Sequence, residues 1–150
     1  MKAIVQRVSK ASVIVEDRKY KTEIGKGLLI LLGIKKEDTS DDVNFVADKC
    51  SGLRIFEDQD NKMNISLKDI KGEAMIISQF TLYGDTAKGN RPSFIEAAPP
   101  EEAVPLYELF IERMRQNIGN EKVKSGLFGE MMEINLVNYG PVTVSVESKK

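Results

Sequence analysis

The chain has 150 residues, a length that one hydrophobic core can serve; its 41% apolar and 30% charged content is that of a soluble globular protein. Basic residues (22) nearly balance acidic ones (23) for a net charge of -1, so no global basic field announces a polyanionic partner, although a local patch stays open. Histidine is absent and Cys50 is the only cysteine. That excludes Ser-His-Asp triads, Cys-His pairs, imidazole-ligated metals, thiolate zinc clusters and intrachain disulfides.

An enzyme of this composition must work with hydroxyls, carboxylates, amides, backbone groups, cations or the functional groups of its substrate. The opening segment carries charge at Lys2, Arg7 and Lys10 and lacks the apolar run of a signal peptide, and no stretch is long enough for a membrane span. A cytoplasmic location without membrane association is expected. No repeat, Gly/Ser linker or low-complexity tract divides the chain, so one domain over 1–150 is expected. The charged tail Glu147-Ser148-Lys149-Lys150 is too short for an interaction arm.

In chain order, 2–8 and 11–16 read as strands, followed by a turn at Asp17–Lys19. Glycines bound the apolar run Leu28–Leu32, which predicts a strand buried on both faces. Thr39-Ser40-Asp41-Asp42 offers caps for an amphipathic helix through Val43, Val46, Cys50 and Leu53. Cys50 falls on its apolar stripe, which favours a buried hydrophobe over a nucleophile. Short strands are expected at Arg54–Glu57 and Met63–Leu67 and a strong one at Ala74–Leu82.

A second helix is expected over Glu101–Gln116 with Leu106, Tyr107, Phe110, Ile111 and Met114 on its apolar face. Pro105 requires either a regular helix from near Val104 or an irregular first turn. Strands at Met132–Val137 and Val142–Val146 close the chain. The mixture predicts an α+β fold of mainly antiparallel sheets in a barrel-like arrangement with two principal helices.

Two segments stand out for chemistry. Gln79 and Thr81 are expected on the strand face of Met75 and Ile77, either meeting solvent at a strand end or entering a site, and the polar, glycine-containing loop Tyr83–Phe94 that follows is long enough to be functional. In Asn138-Tyr139-Gly140-Pro141-Val142-Thr143, Gly-Pro interrupts a strand pattern: a turn or bulge, or a cis peptide with neighbouring carbonyls facing one way.

These two segments, Ser78-Gln79-Phe80-Thr81-Leu82 and Asn138–Thr143, resemble the signature motifs of the D-aminoacyl-tRNA deacylases, which remove D-amino acids from mischarged tRNA. The likeness extends in family order through Gln6-Arg7-Val8, Ala11-Ser12-Val13, Gly33, Arg54-Ile55-Phe56, Lys62-Met63-Asn64, Arg91-Pro92-Ser93-Phe94 and Ser125-Gly126-Leu127-Phe128. Tyr139 departs from the pattern at the outer wall of the pocket.

The resemblance implies a homodimer in which Gly140-Pro141 of one subunit completes the other's pocket, and it implies neither cofactor nor metal. Catalytic roles would fall to Ser78, Gln79, Phe80 and Thr81, with backbone N–H groups around Phe80 and Thr81 facing the ester carbonyl. Thr81 would be nucleophile, water-positioner or pocket wall; positioning is favoured, because no base adjoins it in sequence. The 2′-hydroxyl of the tRNA terminus would assist. Gly140, Pro141, Arg7 and Phe128 would bind the amino acid and select its chirality, with glycyl-tRNA also accepted. Lys88 and Arg91, and further Lys26, Lys35 and Lys36, are candidates for tRNA contact.

Overall fold

The computed structural model describes residues 1–148; Lys149 and Lys150 of the charged tail lie outside the described residues. The organising element is β1 (Lys2–Val15). Along one edge it pairs with β3 (Gly27–Gly33) and then β2 (Tyr20–Ile24), and along the other with β8 (Glu133–Glu147), all antiparallel. On the far side of β3 lie β6 (Glu73–Ser78) and then β7 (Val123–Ser125).

The pairs around β1 are antiparallel as expected, but β3–β6 and β6–β7 are parallel, so the barrel-like sheet is mixed. The chain leaves β3 through α1 (Ser40–Gly52) and β6 through α3 (Pro100–Ile118), and a crossover through a helix returns the next strand in the same direction. The two principal helices are present, joined by the single turn α2 (Leu67–Ile70). Leu67 therefore opens a helix capped by Ser66 instead of ending a strand, and the hairpin before it shrinks to β4 (Phe56–Glu57) and β5 (Met63–Ile65).

Leu28–Leu32 is buried on both faces as its continuous apolar run requires. Leu28, Ile30, Leu32, Ala74 and Ile76 face α1 and α3, joining Val43, Val46, Cys50, Phe110 and Met114. Leu29, Met75 and Ile77 face the concave side with Val8, Val13 and Ile24. Thr39 caps α1, and the Asp42 carboxylate accepts the Thr39 N–H at 2.8 Å. Helix α3 begins at Pro100 and carries Pro105 inside it; its first turn is tightened, with the N–H groups of Glu102 and Ala103 both donating to the Pro99 carbonyl at 3.0 and 2.9 Å.

Candidate active site

Strand alternation stops at Ser78, four residues short of the expected strand end. The Gln79 N–H still donates to the Leu32 carbonyl at 2.8 Å, and Phe80–Tyr83 then wind into a 3₁₀ turn closed by Leu82 N–H to Gln79 O (3.2 Å) and Gly84 N–H to Thr81 O (2.9 Å). Thr81 thus leaves the Met75–Ile77 face and sits exposed on the turn. The N–H groups of Phe80 and Thr81 open the turn, where helical geometry supplies no internal acceptor. The Gln79 Nε2 amide donates to Thr81 Oγ1.

Ile77, Ser78, Gln79 and Phe80 form one wall of a cavity of about 340 Å³ whose other wall is Phe128–Met132 and Ile134, a volume within the range of small-molecule sites. The second wall is held to β6. Gly126 N–H donates to Ile76 O at 3.0 Å, Tyr107 Oη donates to the same carbonyl at 3.0 Å, and the Tyr107 ring meets Phe128 edge to face at 5.7 Å. Gly126 leaves room for the Met132 side chain between the walls, since a Cβ there would lie 2.5 Å from Met132 Sδ and 3.2 Å from Ile77 Cδ1. Glu130 is engaged by Arg18 at 2.8 Å. Met131 is 86% exposed at the rim. Sequence reasoning passed over Glu130, Met131, Met132 and Ile134 as site residues; Met132 and Ile134 read as part of a strand, and only the packing of β7 beside β6 brings this segment to Ser78.

The following loop is pinned at its base by reciprocal Asp85–Ser93 backbone bonds of 2.7 and 2.9 Å, while the Phe94 ring packs edge-on against Phe80 at 5.2 Å. Lys88 and Arg91 stand exposed on this loop, which is tied through Phe94 to the Phe80 turn. The other candidate cations are elsewhere: the Lys26 ammonium lies over the Phe56 ring at 5.9 Å, and Lys35 and Lys36 share a cavity with Glu37, Glu96 and Glu102.

The second motif is a bulge inside β8, not a break between two strands. Register passes from Val8–Asn138 to Gln6–Thr143, so residues 139–142 stand opposite Arg7 alone. The Gly140–Pro141 bond is cis and Gly140 has φ +146°. Arg7 is only 5% exposed, so its guanidinium is held by the protein and not by solvent. Its Nε donates to the Tyr139 carbonyl and its Nη1 to the Ile55 carbonyl, both at 2.8 Å, with Glu57 Oε1 3.8 Å from Nη2. Neither Gly140 nor Pro141 lines the cavity beside Ser78; the bulge adjoins a separate one of about 250 Å³ lined by Arg7, Phe56 and Tyr139. Within one chain the two motifs thus adjoin different cavities.

The family model for D-Tyr-tRNA(Tyr) deacylase matches residues 4–147. The chain belongs to this family. Among deacylase relatives, the D-aminoacyl-tRNA deacylase of Thermotoga petrophila is 53% identical over 150 residues, covering 100% of this chain and 99% of its own. That of Flavobacterium psychrophilum is 50% identical over 149 residues, covering 99% and 98%. A solved structure of a protein named c-Myc DNA Unwinding Element Binding Protein superposes with a TM-score of 0.93 at 41% identity over 100% of both chains. A probable eukaryotic D-amino acid tRNA deacylase shares the fold, with a TM-score of 0.84 at 18% identity over 98% of both chains. Among the described residues no cluster of His, Cys, Asp and Glu is disposed to hold a metal ion, and no helix is long and apolar enough to cross a membrane.

Proposed function

We infer that this deacylase-family chain hydrolyses the ester joining a D-amino acid to the 3′ end of tRNA, releasing the free amino acid and the tRNA. The observation that carries this reading is the 3₁₀ turn at Phe80–Tyr83, whose opening residues Phe80 and Thr81 have no helical acceptor for their N–H groups and which begins at the wall of a cavity sized for an aminoacyl group. The N–H groups form the oxyanion site, stabilising the charge that develops when water adds to the ester carbonyl. Thr81 positions the reacting atoms and does not attack: its oxygen already accepts from Gln79, and the carboxylate lining the cavity, Glu130, is paired with Arg18. The 2′-hydroxyl of the terminal ribose assists in proton transfer.

Gly140 and Pro141 of a second copy complete the pocket. Their carbonyls lie outside the β1–β8 ladder and accept from the substrate α-amino group, while backbone fills the direction of an L side chain. Glycine, having no side chain to reject, is accepted when carried on tRNA. Lys88 and Arg91 bind tRNA phosphates, giving affinity that falls with salt. The test is release of amino acid from D-tyrosyl-, L-tyrosyl- and glycyl-tRNA. The D and glycyl esters are cleaved and the L ester spared; cleavage of neither tyrosyl ester removes the reading, and equal cleavage of both removes the chirality mechanism.

A further inference from the structure

A bulge of four residues opposite one interrupts the ladder, and each backbone group it frees needs another partner to hold a single conformation. Two bonds flank the Gly140-Pro141 pair. On its N-terminal side the Tyr139 carbonyl accepts from Arg7 Nε at 2.8 Å. On its C-terminal side the Val142 N–H, the first backbone donor after Pro141, donates to Asn138 Oδ1 at 2.8 Å. Asn138 therefore bridges the neck of the bulge from residue 138 to residue 142. Its amide cannot turn over without putting two donors face to face, and it is locked again by Nδ2 donating to Thr143 Oγ1 at 2.9 Å. Of the two anchors, Arg7 reaches in from another strand, whereas Asn138 and Thr143 close the loop on itself.

We propose that Asn138, held by Thr143, is a positioning residue that fixes the direction of the Gly140 and Pro141 carbonyls, and with it the preference for D over L substrates. This rests on the reading that those carbonyls bind the α-amino group. Because the Asn138–Thr143 bond is exposed, its loss should cost little stability while loosening the bulge. An error of about 1 Å in a reacting geometry costs up to about a hundredfold in rate, so even partial loosening registers in kinetics.

The experiment measures kcat and KM on D- and L-tyrosyl-tRNA, together with Tm, for Asn138→Ala, Asn138→Asp, Thr143→Val and Gly140→Ala. Asn138→Ala raises KM for the D ester and narrows the D-over-L ratio by about tenfold each, with Tm lowered by a few degrees for the Val142 N–H it leaves unpaired. Asn138→Asp recovers most of both, because its carboxylate still accepts the Val142 N–H and the Thr143 hydroxyl can turn to donate. Thr143→Val falls between. Gly140→Ala serves as the reference: its new Cβ would sit 2.7 Å from Val142 Cγ2 and 2.8 Å from Val142 N, so it loses activity if the bulge binds substrate. Wild-type KM and ratio in Asn138→Ala, or in Thr143→Val should the alanine variant not fold, overturn the proposal while an impaired Gly140→Ala leaves the underlying reading standing. Full activity in Gly140→Ala overturns both.

Discussion

Thr81 and Cys50 are the two candidate nucleophiles, and their surroundings set them apart. Thr81 is exposed, and the Gln79 amide occupies its oxygen. If it positions the reaction, Thr81→Ala keeps measurable turnover, with a loss of about tenfold to hundredfold, the scale of one positioned group. A 2′-deoxy terminus on the substrate costs more, and intact-mass spectrometry during turnover finds no aminoacyl adduct at residue 81. Cys50 is fully buried and burial pushes its thiol up to about 12. It should resist iodoacetamide in the native protein at pH 8 and react once urea unfolds the chain. The folded thiol holds its proton where the unfolded one releases it, so this contribution to stability is intact below pH 9 and is lost as pH rises toward 12. Urea midpoints should fall across that interval, and less steeply in Cys50→Ala.

The elements show why some of this architecture was legible and some was not. Leu28–Leu32 between glycines and the Thr39–Asp42 cap are local signals, and local physics decides them: both elements fall where the sequence puts them. The parallel pairing of β3 with β6 was legible only in part: a run apolar on both faces suits a parallel strand, but nothing local names its partner. It does leave a steric mark. At Gly27 a Cβ would lie 1.8 Å from the Glu73 carbonyl oxygen of the parallel partner, so Gly27→Ala must push β6 away. The expected cost reaches or exceeds the roughly 1–3 kcal/mol of an overpacked interior, read as a lowered urea midpoint. Since β6 delivers Ser78 and the Phe80 turn, residual activity should fall with it. The candidate site was half legible in the same way. Its motif residues could be marked in sequence, but the turn at Phe80 replaced an expected strand because the ladder with β3 ends at Leu32–Ser78 and offers no partner further along, and the Phe128–Met132 wall depends on a packing between distant strands. The four-residue bulge was foreshadowed by Gly-Pro, and Arg7 was already a candidate beside it through the family likeness; the Asn138 clamp was not, because it depends on how the bulge folds back on itself from residue 138 to residue 142.

At the scale of the whole molecule, the two motifs open on different cavities of one subunit, while apolar side chains beside both are left in water. Met131 is 86% exposed and Phe80 53% at the first, and Tyr139 is 62% exposed at the second. A second copy that carries its bulge to the Ser78 cavity would cover both surfaces and join the two halves of each site, which makes the proposed catalyst a symmetric dimer. Sedimentation should then report a dimer at assay concentrations, and a fully active monomer at all concentrations would sink the arrangement. Subunit mixing gives the sharper measurement. Gln79→Trp fills the cavity and Gly140→Ala spoils the bulge, so each homodimer has two defective sites. In a heterodimer, one site combines both defects and the other combines neither. Random reassociation makes half of the dimers mixed, each with one intact site, so mixing two inactive proteins should restore about a quarter of wild-type activity. If both motifs acted within one subunit, every site in the mixture would carry a defect and mixing would restore nothing.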